Sequence, residues 1–307
     1  MMDIPDHIHS HNINLTETIP LNVYMVKGKD SSVFIDSGIN SMHEDLMKLM
    51  DKANVKAEEL SHVLNTHSHH DHIGGNAQLV EKTRCKIVAP ETYAHWHHDW
   101  DAHYNEFARP FPYIFQDTQK LRDEVFGILD SPHRMDAFCK EGDVVDLGED
   151  IQLECYAFSG HMMEEVGWLE TKSNTLILGD VITLIDAPFI HGHLTVKGYQ
   201  ESLDKLERLI EGNGIKTILM SHFEPMTDLE AKELIQKARA YILEIEGVII
   251  ETLKSRDMEL EPLWREVCDK LNKAHEFRSL STVNAHILDL QEKNAIRIFD
   301  KKIVYNG

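Results

Sequence analysis

The stretch Thr66-His67-Ser68-His69-His70-Asp71-His72-Ile73-Gly74-Gly75 decides the reading of this chain. Before it, His62–Asn65 is a short apolar run that reads as a strand; after it, Asn76–Lys82 reads as a helix and Lys86–Ala89 as a further strand. That order is a βαβ unit, with the histidines on its strand-to-helix turn. Neutral imidazole and carboxylate are ligands that zinc accepts. In a continuous helix, residues two apart point to different sides. On a tight turn, His67, His69, Asp71 and His72 can instead converge on one point. The run is internal and alternates with Asp, unlike an expression tag.

Working outward, three more ligand-type residues stand at strand ends, where open α/β folds gather their ligands. They are His161 after Phe158-Ser159-Gly160, Asp180 after Ile177-Leu178-Gly179, and His222 after Leu219-Met220-Ser221. Upstream, Asn22–Val26 and Ser32–Ile35 read as a hairpin closing on Asp36-Ser37-Gly38, followed by a helix over Met42–Ala53. Downstream, strands are expected at Val144–Leu147, Ile151–Ala157, Val166–Glu170, Thr175–Leu178 and Thr217–Met220, with a helix over Tyr199–Ile210 between the last two. Asp228 is placed to cap a helix from Leu229 to about Leu253. Two short helical stretches and a hairpin, Ala295–Phe299 with Lys302–Tyr305, complete the tail.

Residues 91–141 break this rhythm with His, Trp, Tyr, Phe and Pro, and read as an inserted cap over a pocket. His95, His97, His98 and His103 are either substrate contacts, a third metal site, or exposed polar residues. Trp96, Trp100, Tyr104, Phe107, Phe111 and Tyr113 either line an apolar pocket or pack the cap on the core. From these, His95, Trp96, His97, His98, Tyr104 and Phe111 are taken as the candidate substrate-binding residues.

The segment THSHHDHIGG resembles the metallo-β-lactamase-fold signature T-H-x-H-x-D-H-x-G-G, and His161, Asp180 and His222 complete that family's metal set. The resemblance covers about Leu21 to Met226 and extends to glyoxalase II-like and other small hydrolases with helical C-terminal extensions. It implies an α+β protein, a four-layer αββα sandwich. Residues 1–228 would form the catalytic domain, with 91–141 as its cap and 229–307 as a helical, winged-helix-like extension. It further implies that His67, His69 and His161 hold one metal, that Asp71, His72 and His222 hold a second, and that Asp180 bridges them. Asp36 is similar to the family's structural carboxylate beneath the site; a turn-capping role is equally open. Ser221-His222 stands where Gly-His is common, and Met162-Met163-Glu164-Glu165 follows His161 where relatives have a Ser/Thr-rich turn.

Two Zn2+ ions per chain, or Mn2+ or Fe2+, bridged by one water would supply hydroxide near neutral pH. Asp71 and Asp180 would orient it as the catalytic carboxylates. Hydrolysis of a small carboxyl derivative, a thioester or ester first, is the expected reaction. A lactonase or phosphodiesterase on the same fold is the alternative, then a mononuclear iron dioxygenase, then a metal-binding signalling module. Val181, Ile182 and Thr183 stand where lactonases place a Tyr, and the tail shows no evident basic cluster for glutathione.

Composition sets the outer limits. The 307 residues, 42% hydrophobic and 27% charged, suit a globular protein rather than a disordered one. The net charge of −21 disfavours nucleic acid as a partner. That charge lies almost wholly before Leu229, because the remainder carries 13 basic against 14 acidic residues. A nearly neutral tail reads as a pocket wall or a homodimer contact rather than a nucleic-acid module. The four widely spaced cysteines read as reduced, buried thiols. No basic segment followed by an apolar run opens the chain, and no apolar stretch suits a bilayer, so a cytoplasmic protein with no membrane partner and a small-molecule substrate is expected.

Overall fold

The computed structural model describes residues 4–307; the first three residues, where the expectation about a leader begins, lie outside the described residues. Two six-stranded sheets form the frame. The first runs in the order β1 (Ile8–Asn14), β2 (Pro20–Lys27), β3 (Ser32–Ile35), β4 (Leu60–Leu64), β5 (Lys86–Ala89), β6 (Ala137–Phe138). Its first three strands are antiparallel neighbours, and β3 to β6 run parallel. Three helices belong to this half: α1 (His43–Lys52), α2 (His70–Ile73) and α3 (Asn76–Thr83). Leu46 and Met50 of α1 and Leu79 of α3 bury against Val23, Met25, Phe34 and Val63 on one sheet face.

The cap follows β5 and contains α4 (Trp100–His103) and α5 (Gln119–Phe126) among short turns. The second sheet is ordered β12, β11, β10, β9, β8, β7, with strands β7 (Val144–Asp146), β8 (Gln152–Phe158), β9 (Glu165–Glu170), β10 (Thr175–Leu178), β11 (Thr217–Met220) and β12 (Phe223–Thr227). Tyr24, Val26, Ile35 and Leu64 from the first sheet meet Leu153, Val166, Trp168, Ile177 and Leu219 from the second in one inter-sheet core. On the far side, Leu176, Leu178 and Ile218 bury against Leu203, Leu206 and Ile210 of α6 (Val196–Gly212) and Ala231 and Ile235 of α7 (Asp228–Ser255). The layers are therefore helix, sheet, sheet, helix, the αββα sandwich expected from the sequence.

The later half of α7 leaves the sandwich and joins α8 (Leu260–Lys270), α9 (Phe277–Glu292) and the hairpin β13 (Ile296–Phe299)–β14 (Lys302–Tyr305). Ile249, Leu253, Trp264, Leu280, Ile287 and Ile303 form a separate core there. The residue 228/229 boundary expected between catalytic domain and extension falls at the first turn of α7, whose early half still packs on the sandwich.

Three details differ from the sequence reading. Thr227, not Asp228, caps α7: its hydroxyl accepts from the Glu230 backbone N–H, and Glu230 returns a bond to the Thr227 N–H. Strand β1 (IHSHNIN) escapes a hydrophobic-pattern reading because only Ile8 is buried on this edge strand. Strand β12 contains Pro225, which an edge position tolerates. All four cysteines are buried and free, as expected.

The cap, the extension and the loop before α6 bury several histidines. Burial pushes His97 and His286 down to about 3, and lowers His103 and His193 as well. Each is therefore neutral in the fold but takes up a proton when the chain unfolds below its free value of about 6.5. The unfolded state binds more protons there, so stability is complete above that pH and falls as pH drops toward the folded values. We expect the melting temperature to fall between about pH 6.5 and about pH 3, and His286→Gln to flatten that slope. A slope unchanged by the substitution would contradict it.

Candidate metal centre

Strand β4 delivers Thr66 into a sharp turn, and Asp36 at the end of β3 organises it. Asp36 has a left-handed backbone (φ 62°) and is buried. Its carboxylate accepts the Thr66 backbone N–H (2.8 Å), the Thr66 hydroxyl (2.9 Å) and the His72 Nδ1 proton (2.9 Å). It contacts both the turn and a candidate ligand, so turn-capping and site support are one arrangement. Gly74 is required by close approach: a Cβ there would lie 2.5 Å from the Ile128 carbonyl oxygen and 2.7 Å from that of His70.

Each candidate ligand has a partner that fixes its ring. The Thr66 hydroxyl, its proton committed to Asp36, accepts from His67 Nδ1 (3.0 Å). His161 Nδ1 donates to the Gly192 carbonyl (2.8 Å) and His222 Nδ1 to the Pro20 carbonyl (2.7 Å). With His72 on Asp36, four histidines engage Nδ1 with an acceptor and turn Nε2 inward. His69 differs, offering Nδ1 at 3.0 Å from both His67 Nε2 and His161 Nε2.

Three imidazole nitrogens so close, with at most one proton available to share at each contact, suit a cation better than one another. His67, His69 and His161 form one such triad, and Asp71, His72 and His222 another, each with ligand atoms within 4.8 Å. Asp180 lies between them, with Oδ1 3.6 Å from His72 Nε2 and Oδ2 3.5 Å from His161 Nε2 and 3.4 Å from His222 Nε2. His72 Nε2 and Asp180 Oδ1 are buried with no hydrogen-bond partner. Orphaned lone pairs of that kind call for a ligand, and the donor set fits a divalent metal.

Charge is partitioned accordingly. Burial, reinforced by neighbouring imidazoles, holds His67 and His69 well below the usual range, and burial holds His161 at about 4. Burial also opposes a charge on His72, but Asp71, Asp36 and Asp180 outweigh it and raise His72 to about 9. Asp180 and Asp71 likewise raise His222 against its burial. Both aspartates are held well below the carboxylate range, His72 and His222 overcoming burial. Beneath them, burial and the Asp180 charge raise Glu165, whose Oε1 accepts the Asp180 backbone N–H.

Five of the seven candidate ligands, His69, Asp71, His161, Asp180 and His222, floor a cavity of about 640 Å³, walled by Trp96, Phe107, Phe111, Phe189 and Phe277. Of the six candidate substrate contacts, Trp96 and Phe111 line it. The other four do not. Tyr104 is fully buried with its hydroxyl donated to Asp117 Oδ1 (2.9 Å), and His95 is tied to Glu106 Oε2 (2.8 Å). His97 is buried against Ser68 Oγ (3.1 Å) and braces the turn from behind; His98 is half-buried beside it. The alternative of exposed polar residues also fails for His97 and His103, the latter stacked on Trp96 at 4.6 Å.

Sequence reasoning missed two contributors. The loop 184–194 brings His191 to Asp180, and α9 brings Arg278 to the cavity wall. His191-Gly192-His193 (HGH) between two apolar runs was a readable signal for the first; a lone Arg on an amphipathic helix gave none for the second.

With the geometry established, kinship follows. The family model described as "Metallo-beta-lactamase superfamily" matches residues 18–222, spanning both triads and Asp180. The chain belongs to this superfamily. Curated relatives include a hydroxyacylglutathione hydrolase of a Polaromonas species, 29% identical over 54% of this chain and 50% of its own. Another, of the same name, from Erythrobacter litoralis is 26% identical over 45% of this chain and 40% of its own. The matched part thus spans half or less of these relatives. Among solved structures, a metallo-beta-lactamase family protein from Thermus thermophilus superposes with a TM-score of 0.78 at 15% identity, covering 98% of this chain and 99% of the other. A beta-lactamase domain protein from Burkholderia ambifaria gives 0.74 at 15% identity, covering 99% and 93%. Both include the C-terminal extension in the shared fold. No helix among the described residues is long and apolar enough to cross a membrane.

Proposed function

We propose that this superfamily member is a dinuclear-metal-dependent hydrolase of small carboxyl derivatives, with thioesters or esters as substrates. The observation that carries the reading is the meeting of seven ligand-type side chains, with buried polar atoms left unpartnered, beneath an aromatic cavity that five of them line. In this reading His67, His69 and His161 hold one ion, Asp71, His72 and His222 the other, and Asp180 both. Two zinc ions there would supply an activated water near neutral pH and polarise a carbonyl. The residues divide the remaining work. Asp180, 3% exposed, is a fixed anchor, whereas Asp71 is 15% exposed and faces the cavity. Asp71 is thus placed to accept the attacking water's proton and return it as the leaving group departs. Trp96, Phe107 and Phe111 receive an apolar acyl part and exclude water.

The preference for a thioester draws support from the curated relatives, whose name denotes cleavage of a hydroxyacyl thioester of glutathione. Arg278 also lines the cavity, a cation that the sequence did not reveal, paired there with Glu124 and Glu276. The test is a panel of thioesters, esters, lactones and phosphodiesters with zinc-loaded protein. Chelator-sensitive turnover of the first two is expected. A fully loaded protein that cleaves none of the carboxyl substrates would refute the reading.

A further inference from the structure

His191 sits at the boundary between the ligand cluster and the cavity. Its Nε2 lies 3.4 Å from Asp180 Oδ2, and with His161 and Asp180 it forms a third group whose atoms could surround a cation. Distance alone would make it an eighth ligand.

The hydrogen bond on its other nitrogen says otherwise. His67, His72, His161 and His222 each direct Nδ1 at an acceptor, which makes Nε2 the atom that a cation would engage. His191 Nδ1 faces a donor, the backbone N–H of Leu184 at 2.9 Å. A ring nitrogen accepting an N–H has committed its lone pair, so the ring proton resides on Nε2. A protonated nitrogen cannot ligate a metal.

The loop holds this tautomer because the extension clamps it. Lys273 Nζ donates to the carbonyls of Ile185 (2.7 Å) and Ala187 (2.6 Å). The Ala274 N–H donates to Pro188 O (2.7 Å), and Ser279 Oγ accepts the Ile190 N–H (3.0 Å). Leu184 and His191 are thereby kept in register across the loop.

We propose that His191 lies outside the metal set and serves as a neutral N–H donor to the substrate oxygen that gains negative charge when the scissile carbonyl is attacked. This rests on the hydrolase reading above. Its Nε2–H is within reach of Asp180, faces the cavity and is only 11% exposed, where a preorganised donor acts without rearrangement. No proton leaves the ring: a neutral imidazole polarises the oxygen by hydrogen bonding alone.

His191→Phe removes the donor, and His191→Gln places an amide N–H near the position of Nε2. In the full chain, both variants should keep the wild-type metal stoichiometry and the ligand-field absorption of the cobalt(II)-substituted protein. A lost ion or altered bands in either variant would make His191 a ligand and overturn the proposal. With the best carboxyl substrate, kcat should fall about 10²-fold in His191→Phe with KM nearly unchanged, and recover most of the way in His191→Gln. Unchanged kcat in His191→Phe, or a loss that Gln does not restore, would also overturn it. Should His191→Phe fail to fold, the Gln variant alone decides: near-wild-type kcat with unaltered spectra supports the donor, altered spectra refute it. A wild-type protein silent on every carboxyl substrate would remove the hydrolase reading and the donor role together, whereas unaltered cobalt spectra would still exclude His191 from the ligands.

Discussion

Replacing Asp180 with Asn is expected to cripple hydrolysis and deplete the protein of metal. The substitution keeps the shape of the side chain and deletes its charge. Asp180 lies within 3.6 Å of His72, His161, His191 and His222, so it joins both triads. Losing even an outer partner of a ligand weakens metal binding by about 10–100-fold. Losing a shared ligand removes more, because two dications would then face the single carboxylate of Asp71. Turnover should fall by about 10³-fold, since both activation of water and its orientation depend on this group. Metal analysis after gel filtration should find well under the wild-type content. Full metal occupancy in Asp180→Asn would refute the bridging role.

Gly192→Ala should be nearly as damaging from outside the ligand set. A Cβ on Gly192 would overlap Thr282 Oγ1 and lie 2.6 Å from the Thr282 Cβ, so loop 184–194 and α9 cannot both stay in place. The carbonyl of Gly192 is the acceptor that fixes His161, and His191 is its neighbour. Displacing it frees one ligand ring, with an expected loss of about 10–100-fold in metal affinity. Overpacking should also cost about 1–3 kcal/mol of stability, visible as a lower Tm. Adding Thr282→Gly removes every side-chain atom in the clash. The double variant should regain metal affinity, less the helix penalty of about 1 kcal/mol for glycine within α9. If Gly192→Ala binds metal as tightly as wild type, the extension does not support the site.

These two expectations mark what the sequence revealed and what it concealed. Apolar runs placed the central strands, because a doubly covered sheet admits few polar residues there. The candidate ligands were legible because a metal site requires particular side chains at strand ends. Edge strand β1 was not: its alternate residues face solvent, and its histidines carry no apolar signal. The cavity walls were legible only in part: Trp96, Phe107 and Phe111 line the cavity, but nothing in the sequence separated them from Tyr104. Tyr104 and Phe107 are three residues apart, yet one buries its hydroxyl on Asp117 while the other packs 4.6 Å from the His69 ring. The contact of α9 with loop 184–194 joins residues about ninety positions apart, for example Ile190 with Ser279. No local pattern encodes such a contact. The tautomer of His191 depends on it, which is why a histidine read as one of many in the sequence acquires a distinct role in the fold.

The most direct test is anomalous diffraction from crystals of the zinc-loaded protein, paired with metal analysis of the same preparation. The expected result is two ions per chain, one ringed by His67, His69 and His161, the other by Asp71, His72 and His222, with Asp180 touching both. A cluster that remains metal-free at saturating zinc, or a single ion that leaves one triad unengaged, would contradict the dinuclear centre.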